Sequence, residues 1–282
     1  MTAGAALRIG ELQIPGPHGP IPARAYTPDE PAGPGLVWLH GGGFWAGDLD
    51  MPEADWVARS FAARGIAVVS VDYRLAPPLA GAPGRDGVSG FRHPVPVDDV
   101  VAAFRWAIGS GLAEGPWVIG GTSAGGNLAA AGTLRLVADG GARPALALLA
   151  YPTLLAVQPA PDPALRAALD ADPAADVFGP EKVRGMYENY FGRPAEEATS
   201  SAAPGLASPG ELVGFPPVIM INAEVDELRV SGEAFARTLV GAGVPVDVSI
   251  EPGTTHGYLN RPEEAAASRS IDRYAERILA LS

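Results

Sequence analysis

Short runs of apolar residues alternate along this chain with stretches whose apolar positions recur every three to four residues. The runs GLVWLH, IAVVSVD, WVIGG and PPVIMINAEVD are each followed by a helix-like stretch such as DWVARSFAARG or AGGNLAAAGTLRLVADG. Strands that are apolar at every position are buried on both faces, which is typical of a parallel sheet covered by helices. The pattern predicts one α/β domain over residues 1–282, with a mostly parallel central sheet and helices on both faces.

Two Pro- and Gly-rich stretches interrupt this alternation. Residues 77–92 can form neither a helix nor a central strand, whereas residues 152–208 carry helical pieces between Pro-rich connectors and predict an insertion after the sixth strand. In that insertion VRGMYENYF places Met186 and Tyr187 on one apolar helical face. Either this face packs on the core, or it lines the substrate pocket, and we predict the second, together with Phe44 and Trp45.

Composition narrows the classes of partner. The formal net charge is −12, and an acidic chain gains nothing from counterion release, so we expect no nucleic-acid partner. The chain has no cysteine, which excludes disulfides, thiolate nucleophiles and Cys-ligated zinc. The first twenty residues lack a basic region followed by an apolar one, and no apolar run is long enough to span a membrane. We expect a cytoplasmic protein without a membrane span.

The stretch WVIGGTSAGGNLAAA puts the motif Gly121-Thr122-Ser123-Ala124-Gly125 between a strand and a helix. In a nucleophile elbow the serine occupies a strained turn, and the residues two positions before and after it must be small. As a bare pattern G-x-S-x-G has roughly even odds of arising by chance in a Gly-rich loop, but the flanking strand and helix favour the elbow. Ser123 is therefore the candidate nucleophile.

A second glycine cluster, His40-Gly41-Gly42-Gly43, directly follows an early strand. Attack on a carbonyl creates an oxyanion that needs backbone N–H donors from such a loop and from the residue after the serine. The sequence GGGFWA also fits a dinucleotide-binding fingerprint, but two aromatic residues suit that turn poorly and no acidic residue ends a strand about 20 positions later. The cluster favours an oxyanion hole.

The serine needs a general base and an acid on loops at the carboxyl ends of strands. Of the four histidines, His18 and His93 look structural, and His40 opens the glycine loop. His256 follows the last strand and is the candidate base. The acid lies between serine and histidine in chain order, where Glu224, Asp226 and Glu227 are all available. Asp98 and Asp99 are expected to cap the helix after His93.

Taken together, these motifs resemble the hormone-sensitive-lipase family of bacterial esterases, in the branch with Thr before the nucleophile. The resemblance runs from about Ala23 to Leu281 and rests on five motifs in the family's order: HGGG at 40–43, DYRLAP at 72–77, GTSAGGN at 121–127, AEVDELR at 223–229 and HGY at 256–258. It implies an α/β-hydrolase fold and a Ser123–His256–Asp226 triad, with Glu224 as the fallback acid. It also implies that Gly42, Gly43 and Ala124 donate to the oxyanion, with no cofactor and no metal.

The chain departs from the family in places that bear on the substrate. A strand-like stretch, LRIGELQI, stands where relatives usually carry cap helices, and residues 77–92 are longer than usual, so we expect a reduced cap. The predicted activity is hydrolysis of small or medium carboxylic esters through an acyl-enzyme. The alternatives are a deacetylase, cyclase or acyl-transfer enzyme with the same triad, and a non-catalytic ligand-binding protein. A homo-oligomer is one way to complete the cover over Ser123.

Overall fold

The computed structural model of the chain describes residues 7–29, 33–79 and 81–281. Eight strands form one sheet: β1 (Leu7–Ile14), β2 (Ile21–Pro28), β3 (Gly35–Leu39), β4 (Ala67–Val71), β5 (Trp117–Thr122), β6 (Ala147–Ala150), β7 (Val218–Val225) and β8 (Val246–Thr255). Their order across the sheet is β1-β2-β4-β3-β5-β6-β7-β8. The β1–β2 and β2–β4 pairs are antiparallel, and the others are parallel.

The described residues also form seven α-helices: α1 (Asp55–Ala62), α2 (Val95–Gly109), α3 (Ser123–Ala138), α4 (Pro163–Ala171), α5 (Pro180–Phe191), α6 (Arg229–Gly241) and α7 (Ala265–Leu279). Buried apolar residues of α2, α3 and α6 form one core cluster with the sheet, and those of α1 and α7 form another. β3, β4, β5 and β6 are buried at every position, as expected for strands covered on both faces. The predicted mostly parallel sheet with helices on both faces is confirmed.

The carboxyl ends of the parallel strands bring the sequence motifs to one edge of the sheet. β3 ends directly before the glycine loop, β5 directly before Ser123, β7 directly before Asp226 and β8 directly before His256. β3 neighbours β5, β7 neighbours β8, and only β6 separates the two pairs. Residues far apart in the sequence therefore meet above the middle of the sheet, where ligands bind in open α/β folds.

The start of α2 differs from the sequence expectation. Pro94 is the N-cap residue, and no side chain caps the helix. Asp98 instead bonds to His18 (2.8 Å), and Asp99 points into the core, where it accepts hydrogen bonds from the backbone N–H (3.0 Å) and the guanidinium of Arg74. Burial raises the pKa of Asp99 even though Arg74 opposes the shift. Because α2 begins at Val95, Asp98 and Asp99 lie inside the helix and beyond its N-cap, so the predicted capping was wrong.

Residues 152–208, which follow β6, contain α4 and α5 joined by extended connectors. Asn127 of α3 anchors this segment, since its side-chain amide donates to the carbonyl oxygens of Thr153 (3.0 Å) and Ala202 (3.1 Å). The described part of the 77–92 loop is anchored by Arg85, which bonds to both carboxylate oxygens of Asp72 (2.8 and 2.5 Å) and to the carbonyl oxygen of Gly47 (2.9 Å). Both stretches approach the carboxyl edge of the sheet.

Candidate active site

Ser123 sits on a sharp turn between β5 and α3 with a positive φ of 50°. A Cβ at Gly121 would lie 2.5 Å from the carbonyl carbon of Gly125, and a Cβ at Gly125 would overlap the carbonyl oxygens of Leu39 and His40. Both positions therefore require glycine, and a serine at positive φ is a strained residue that its surroundings must hold. Ser123 also begins α3, whose N-terminal dipole favours negative charge nearby.

His256 lies within hydrogen-bond distance of both Ser123 and Asp226. Its Nε2 is 3.0 Å from Ser123 Oγ, and its Nδ1 is 2.7 Å from Asp226 Oδ2. The Asp226 side chain is fully buried, whereas that of His256 is 13% exposed. Asp226 Oδ1 accepts the N–H of Leu228 (3.0 Å), so both carboxylate oxygens are bonded. Because Asp226 is oriented from both sides, it favours the imidazole tautomer with the proton on Nδ1.

The two other acidic candidates lie elsewhere. Glu224 is exposed and accepts the backbone N–H of Gly253 (2.7 Å). Glu227 is buried with no hydrogen-bond partner for its Oε2 among the described residues. Burial raises the pKa of Glu227, and the nearby Asp176 adds to the shift. Of the three carboxylates that the sequence leaves open, Asp226 is the one the structure brings to His256.

In the glycine loop after β3, Gly42 (φ 113°) and Gly43 (φ 58°) both adopt positive φ angles. A Cβ at Gly42 would overlap the carbonyl oxygen of Ala46, so no other residue fits there. Within residues 7–29, 33–79 and 81–281, no hydrogen bond uses the N–H groups of Gly42 or Gly43. Ala124 belongs to the first turn of α3, where backbone N–H groups lack helical partners. Three backbone donors are thus available around Ser123.

Glu53 is a residue of this site that sequence reasoning missed. It is 2% exposed, and its Oε1 accepts the N–H of Gly41 (2.7 Å), while its Oε2 accepts the hydroxyl of Tyr151 (3.1 Å). Its backbone N–H donates to Asn260 (3.2 Å), in the segment after His256. Glu53 therefore ties together the glycine loop, the end of β6 and the histidine loop. These partners are distant in sequence, so no local sequence motif predicts that Glu53 joins them.

A cleft of about 500 Å³ opens above Ser123 and His256. Its floor includes Gly42 and Gly43. Its walls include Trp45 from the segment after the glycine cluster, Leu79 from the 77–92 loop, and Phe178, Lys182 and Met186 from residues 152–208. The Phe178 ring packs edge-on against the His256 imidazole, with centroids 4.4 Å apart. Trp45 and Met186, two of the four residues predicted for the substrate pocket, thus line the cleft.

Phe44 and Tyr187, also predicted for the pocket, do not line this cleft. Both are fully buried. Phe44 stacks on Tyr190 (4.0 Å between centroids) and packs edge-on against Tyr187 (5.4 Å). The Tyr187 hydroxyl donates to the Thr153 carbonyl oxygen (3.0 Å) and accepts from the Asn127 amide (2.9 Å). Adjacent positions on α5 therefore have opposite roles, because only Met186 faces the cleft.

The other three histidines make different contacts. His40 is fully buried, stacks on Tyr73 and has its Nδ1 2.7 Å from the Gly41 carbonyl oxygen. His40 Nε2 is 3.8 Å from Asp72 Oδ1. Burial acts to raise the pKa of Asp72, but His40 and Arg85 outweigh it and hold that pKa below its ordinary value. His93 packs against Tyr190.

No group of three or more histidine or acidic side chains in the described ranges is arranged to hold a metal ion. None of the helices in this part of the chain combines the length and the hydropathy that crossing a bilayer requires.

Comparison with known proteins agrees with this geometry. The family profile for the alpha/beta hydrolase fold matches residues 36–260. The chain is 35% identical to Esterase LipI of Mycobacterium tuberculosis, covering 90% of this chain and 75% of LipI. It is also 35% identical to the carboxylic ester hydrolase LipN of the same organism, covering 89% of this chain and 64% of LipN, just under two thirds.

Among solved structures, a hyperthermophilic esterase from the archaeon Pyrobaculum calidifontis superimposes with a TM-score of 0.82 at 30% identity. The match covers 98% of this chain and 87% of that one. This chain therefore belongs to the α/β-hydrolase fold family, in the hormone-sensitive-lipase-like branch of carboxylic ester hydrolases.

Proposed function

We propose that this protein is a serine carboxylesterase in which Ser123 is the nucleophile, His256 the general base and Asp226 the residue that orients the histidine. The observation that carries this proposal is the unbroken line of contacts from Asp226 Oδ2 through His256 to Ser123 Oγ, at 2.7 and 3.0 Å, on the floor of an open cleft. The names of the relatives, which are esterases and carboxylic ester hydrolases, point to the same chemistry.

In the first half of the proposed reaction, His256 Nε2 takes the proton of the Ser123 hydroxyl as Oγ attacks the ester carbonyl carbon. The carbonyl electron pair moves onto oxygen, and the N–H groups of Gly42, Gly43 and Ala124 stabilise that oxyanion. Asp226 stabilises the imidazolium that forms. When the intermediate collapses, the alkoxide leaves with the proton from His256 Nε2, and the acyl group stays on Ser123.

In the second half, water enters the site of the departed alcohol. His256 takes one of its protons, the hydroxide oxygen attacks the acyl carbon, and the same three N–H groups hold the second oxyanion. Collapse releases the carboxylic acid and returns the proton to Ser123 Oγ. The strained turn at Ser123 holds its hydroxyl in one position, so the same groups act in both halves.

We also infer that residues 152–208, together with the 77–92 loop, form the cover of the substrate pocket. Phe178, Lys182 and Met186 come from the first of these segments and Leu79 from the second. Together they enclose the catalytic serine, which is only 6% exposed. A pocket of this size with a mainly apolar lining suits small or medium acyl groups.

The test is hydrolysis of 4-nitrophenyl butyrate, combined with labelling by a fluorophosphonate. Wild-type protein is expected to release 4-nitrophenol and to gain the mass of the phosphonyl group on Ser123. Ser123→Ala should lose about 10⁴- to 10⁶-fold in kcat and should not be labelled, with its circular dichroism spectrum and Tm unchanged. Activity of Ser123→Ala within tenfold of wild type would refute the proposal.

The alternatives are distinguished by the product and by the substrate. A deacetylase of amides would cleave a 4-nitroanilide at a measurable rate, whereas an esterase would leave it intact, and an acyl-transfer enzyme would partition the acyl group to an added alcohol instead of water. A ligand-binding protein would show neither turnover nor a burst of 4-nitrophenol. The contact between His256 and Ser123 favours the catalytic proposal, since a receptor needs no base at that distance.

A further inference from the structure

Lys182 is the only lysine of the chain, and it lines the catalytic cleft. All the other cationic side chains are arginines or histidines, in a protein with a formal net charge of −12. Such a protein repels anions at long range, so an anionic ligand can bind only where a local cation offsets the repulsion. The position of the single lysine beside the catalytic groups therefore bears on the substrate.

The contacts of Lys182 place its charge close to the reacting atoms. Its Nζ lies over the Phe178 ring, 5.2 Å from the centroid, and that ring lies 4.4 Å from the centroid of His256. The ammonium is thus no farther from the imidazole than the sum of these two distances. A cation over an aromatic face is held in place without losing its charge or its hydrogen-bond donors.

Lys182 has no anionic partner in the described part of the chain, because no carboxylate oxygen there lies within 4 Å of Nζ. Neighbouring cations differ in this respect: Arg184, on the same helix, pairs with Glu196, and Arg229 pairs with Glu233 (2.9 Å). The cation at the cleft is therefore available to a ligand.

The other ionisable groups of the cleft are already committed. Glu53 uses its two carboxylate oxygens for Gly41 and Tyr151, and His256 faces Ser123 and Asp226. The rest of the lining is mainly apolar, with Trp45, Met51, Leu79, Phe178 and Met186 among its members. An otherwise apolar cleft with one unpaired cation beyond the reacting atoms fits a ligand with an apolar stem and a terminal anion.

We propose that Lys182 binds a carboxylate at the end of the acyl chain, so that the preferred substrates are half-esters of dicarboxylic acids. The proposal rests on the proposed function of Ser123 as the nucleophile. The ester carbonyl would lie at Ser123, the methylene stem along Met186 and Phe178, and the free carboxylate against the Lys182 ammonium as a charge-assisted hydrogen bond. Lys182 is a specificity-determining residue in this arrangement and takes no part in the bond-making steps.

The experiment compares kcat/KM for mono-4-nitrophenyl adipate and 4-nitrophenyl hexanoate, which have the same number of acyl carbons and differ in the terminal group. Lys182→Gln should lower the adipate-to-hexanoate ratio about two- to fivefold, as expected for a partly exposed ion pair. Lys182→Glu should lower it further, because it adds repulsion. In about 1 M salt, where the Debye length falls to about 3 Å, the ratio of wild type should approach that of Lys182→Gln.

Arg184→Gln is the matched control, since it removes the same unit charge from the same helix at a residue outside the cleft. Its adipate-to-hexanoate ratio should equal that of wild type. The proposal is overturned if Arg184→Gln and Lys182→Gln change the ratio equally, or if Lys182→Gln does not change it.

A binding measurement separates this inference from the esterase proposal. Mono-4-nitrophenyl adipate is titrated into Ser123→Ala and into Ser123→Ala/Lys182→Gln, and Trp45 in the cleft wall reports binding by fluorescence quenching. Weaker binding to the double variant, with equal binding of the hexanoate ester, supports the role of Lys182 even if Ser123 proves not to be the nucleophile. Equal binding of the adipate ester to both proteins refutes it, whatever the result for Ser123.

Discussion

The floor of the cleft and its cover are built by different kinds of constraint. On the floor, Gly42 and Ser123 adopt positive φ angles, and a Cβ at Gly42 or Gly125 would overlap backbone atoms. In the cover, Met186 and Lys182 lie on an ordinary α-helix, where many side chains could occupy the same positions. The backbone geometry of the floor therefore dictates which residues fit there, whereas the backbone of the cover leaves the choice of cleft-facing side chains open.

This difference indicates where substitutions should affect chemistry and where they should affect selectivity. A group fixed by the backbone or by a buried bond cannot adapt, so its loss should reduce kcat steeply. A wall residue of the cover can be replaced by another of different size, and the main effect should then fall on the choice of substrate. Three predictions test this contrast, from the largest expected effect to the smallest, and a fourth concerns the buried carboxylate next to Asp226 in the sequence.

Asp226→Asn should lower kcat about 10⁴-fold with little change in KM, because the amide can stabilise the wrong imidazole tautomer. Steady-state kinetics on 4-nitrophenyl butyrate measures both constants. Glu224→Gln is the control, since Glu224 bonds to Gly253 and not to His256, and it should stay within a few fold of wild type. A larger loss in Glu224→Gln than in Asp226→Asn would reverse the assignment of the acid.

Glu53→Ala should lower kcat about 10- to 100-fold, because it removes the charged acceptor that holds the N–H of Gly41 and with it the glycine loop. KM should change less than kcat, since the loop acts on the oxyanion and not on the bound ester. Glu53→Gln, which keeps an acceptor for Gly41, should recover most of the activity. If Glu53→Ala and Glu53→Gln are equally impaired, the charge of Glu53 matters and the bond to Gly41 does not.

Met186→Ala should shift the acyl-length preference towards longer chains, since it removes a wall of the cleft. Tyr187→Phe should leave that preference unchanged but lower Tm by roughly 2–8 °C, because it removes the two buried hydrogen bonds that the Tyr187 hydroxyl makes with Asn127 and Thr153. A series of 4-nitrophenyl esters and thermal unfolding curves of both variants provide the two readouts. An altered acyl preference in Tyr187→Phe would instead mean that Tyr187 contributes to the wall of the pocket.

Glu227→Gln should change the pH dependence of stability. Burial places the folded-state pKa of Glu227 above its unfolded value, so its contribution to stability is present at low pH and is lost as the pH rises through the folded pKa. Glu227→Gln should therefore gain stability relative to wild type between about pH 4 and about pH 8. Thermal unfolding at both pH values measures this, with the exposed Glu263→Gln as the control. A relative loss of stability at the higher pH would contradict the prediction.

The elements of the fold follow closely from the apolar pattern. The predicted strands and helices lie within a few residues of their observed bounds, because alternating buried strands and amphipathic helices leave a clear periodicity. The prediction that Asp98 and Asp99 cap α2 was wrong. Because α2 begins at Val95, Asp99 lies inside the helix, where its carboxylate pairs with Arg74, and the local sequence does not reveal this distant partner.

The helix α5 shows what could not be predicted from the sequence about the candidate site. Its apolar face is visible in the sequence, but periodicity cannot say what that face packs against. Met186 reaches the cleft, while Tyr187 turns towards Asn127 and the core. Likewise, the sequence around Glu53 does not predict its hydrogen bonds to Gly41 and Tyr151. Gly41 lies in the loop after β3, and Tyr151 directly follows β6.

By itself, the sequence determined the α/β architecture and pointed to Ser123 and the two glycine clusters as parts of the candidate site. Each of these depends on a local requirement: burial on both strand faces, a turn that excludes a Cβ, or a backbone donor next to a strand end. Only the tertiary structure decided which carboxylate meets His256, that Glu53 joins three loops, and which side chains of α5 face the cleft beside Lys182. These contacts join residues that are distant along the chain. Their partners are set by how the strands are ordered in the sheet, and local periodicity does not encode that order.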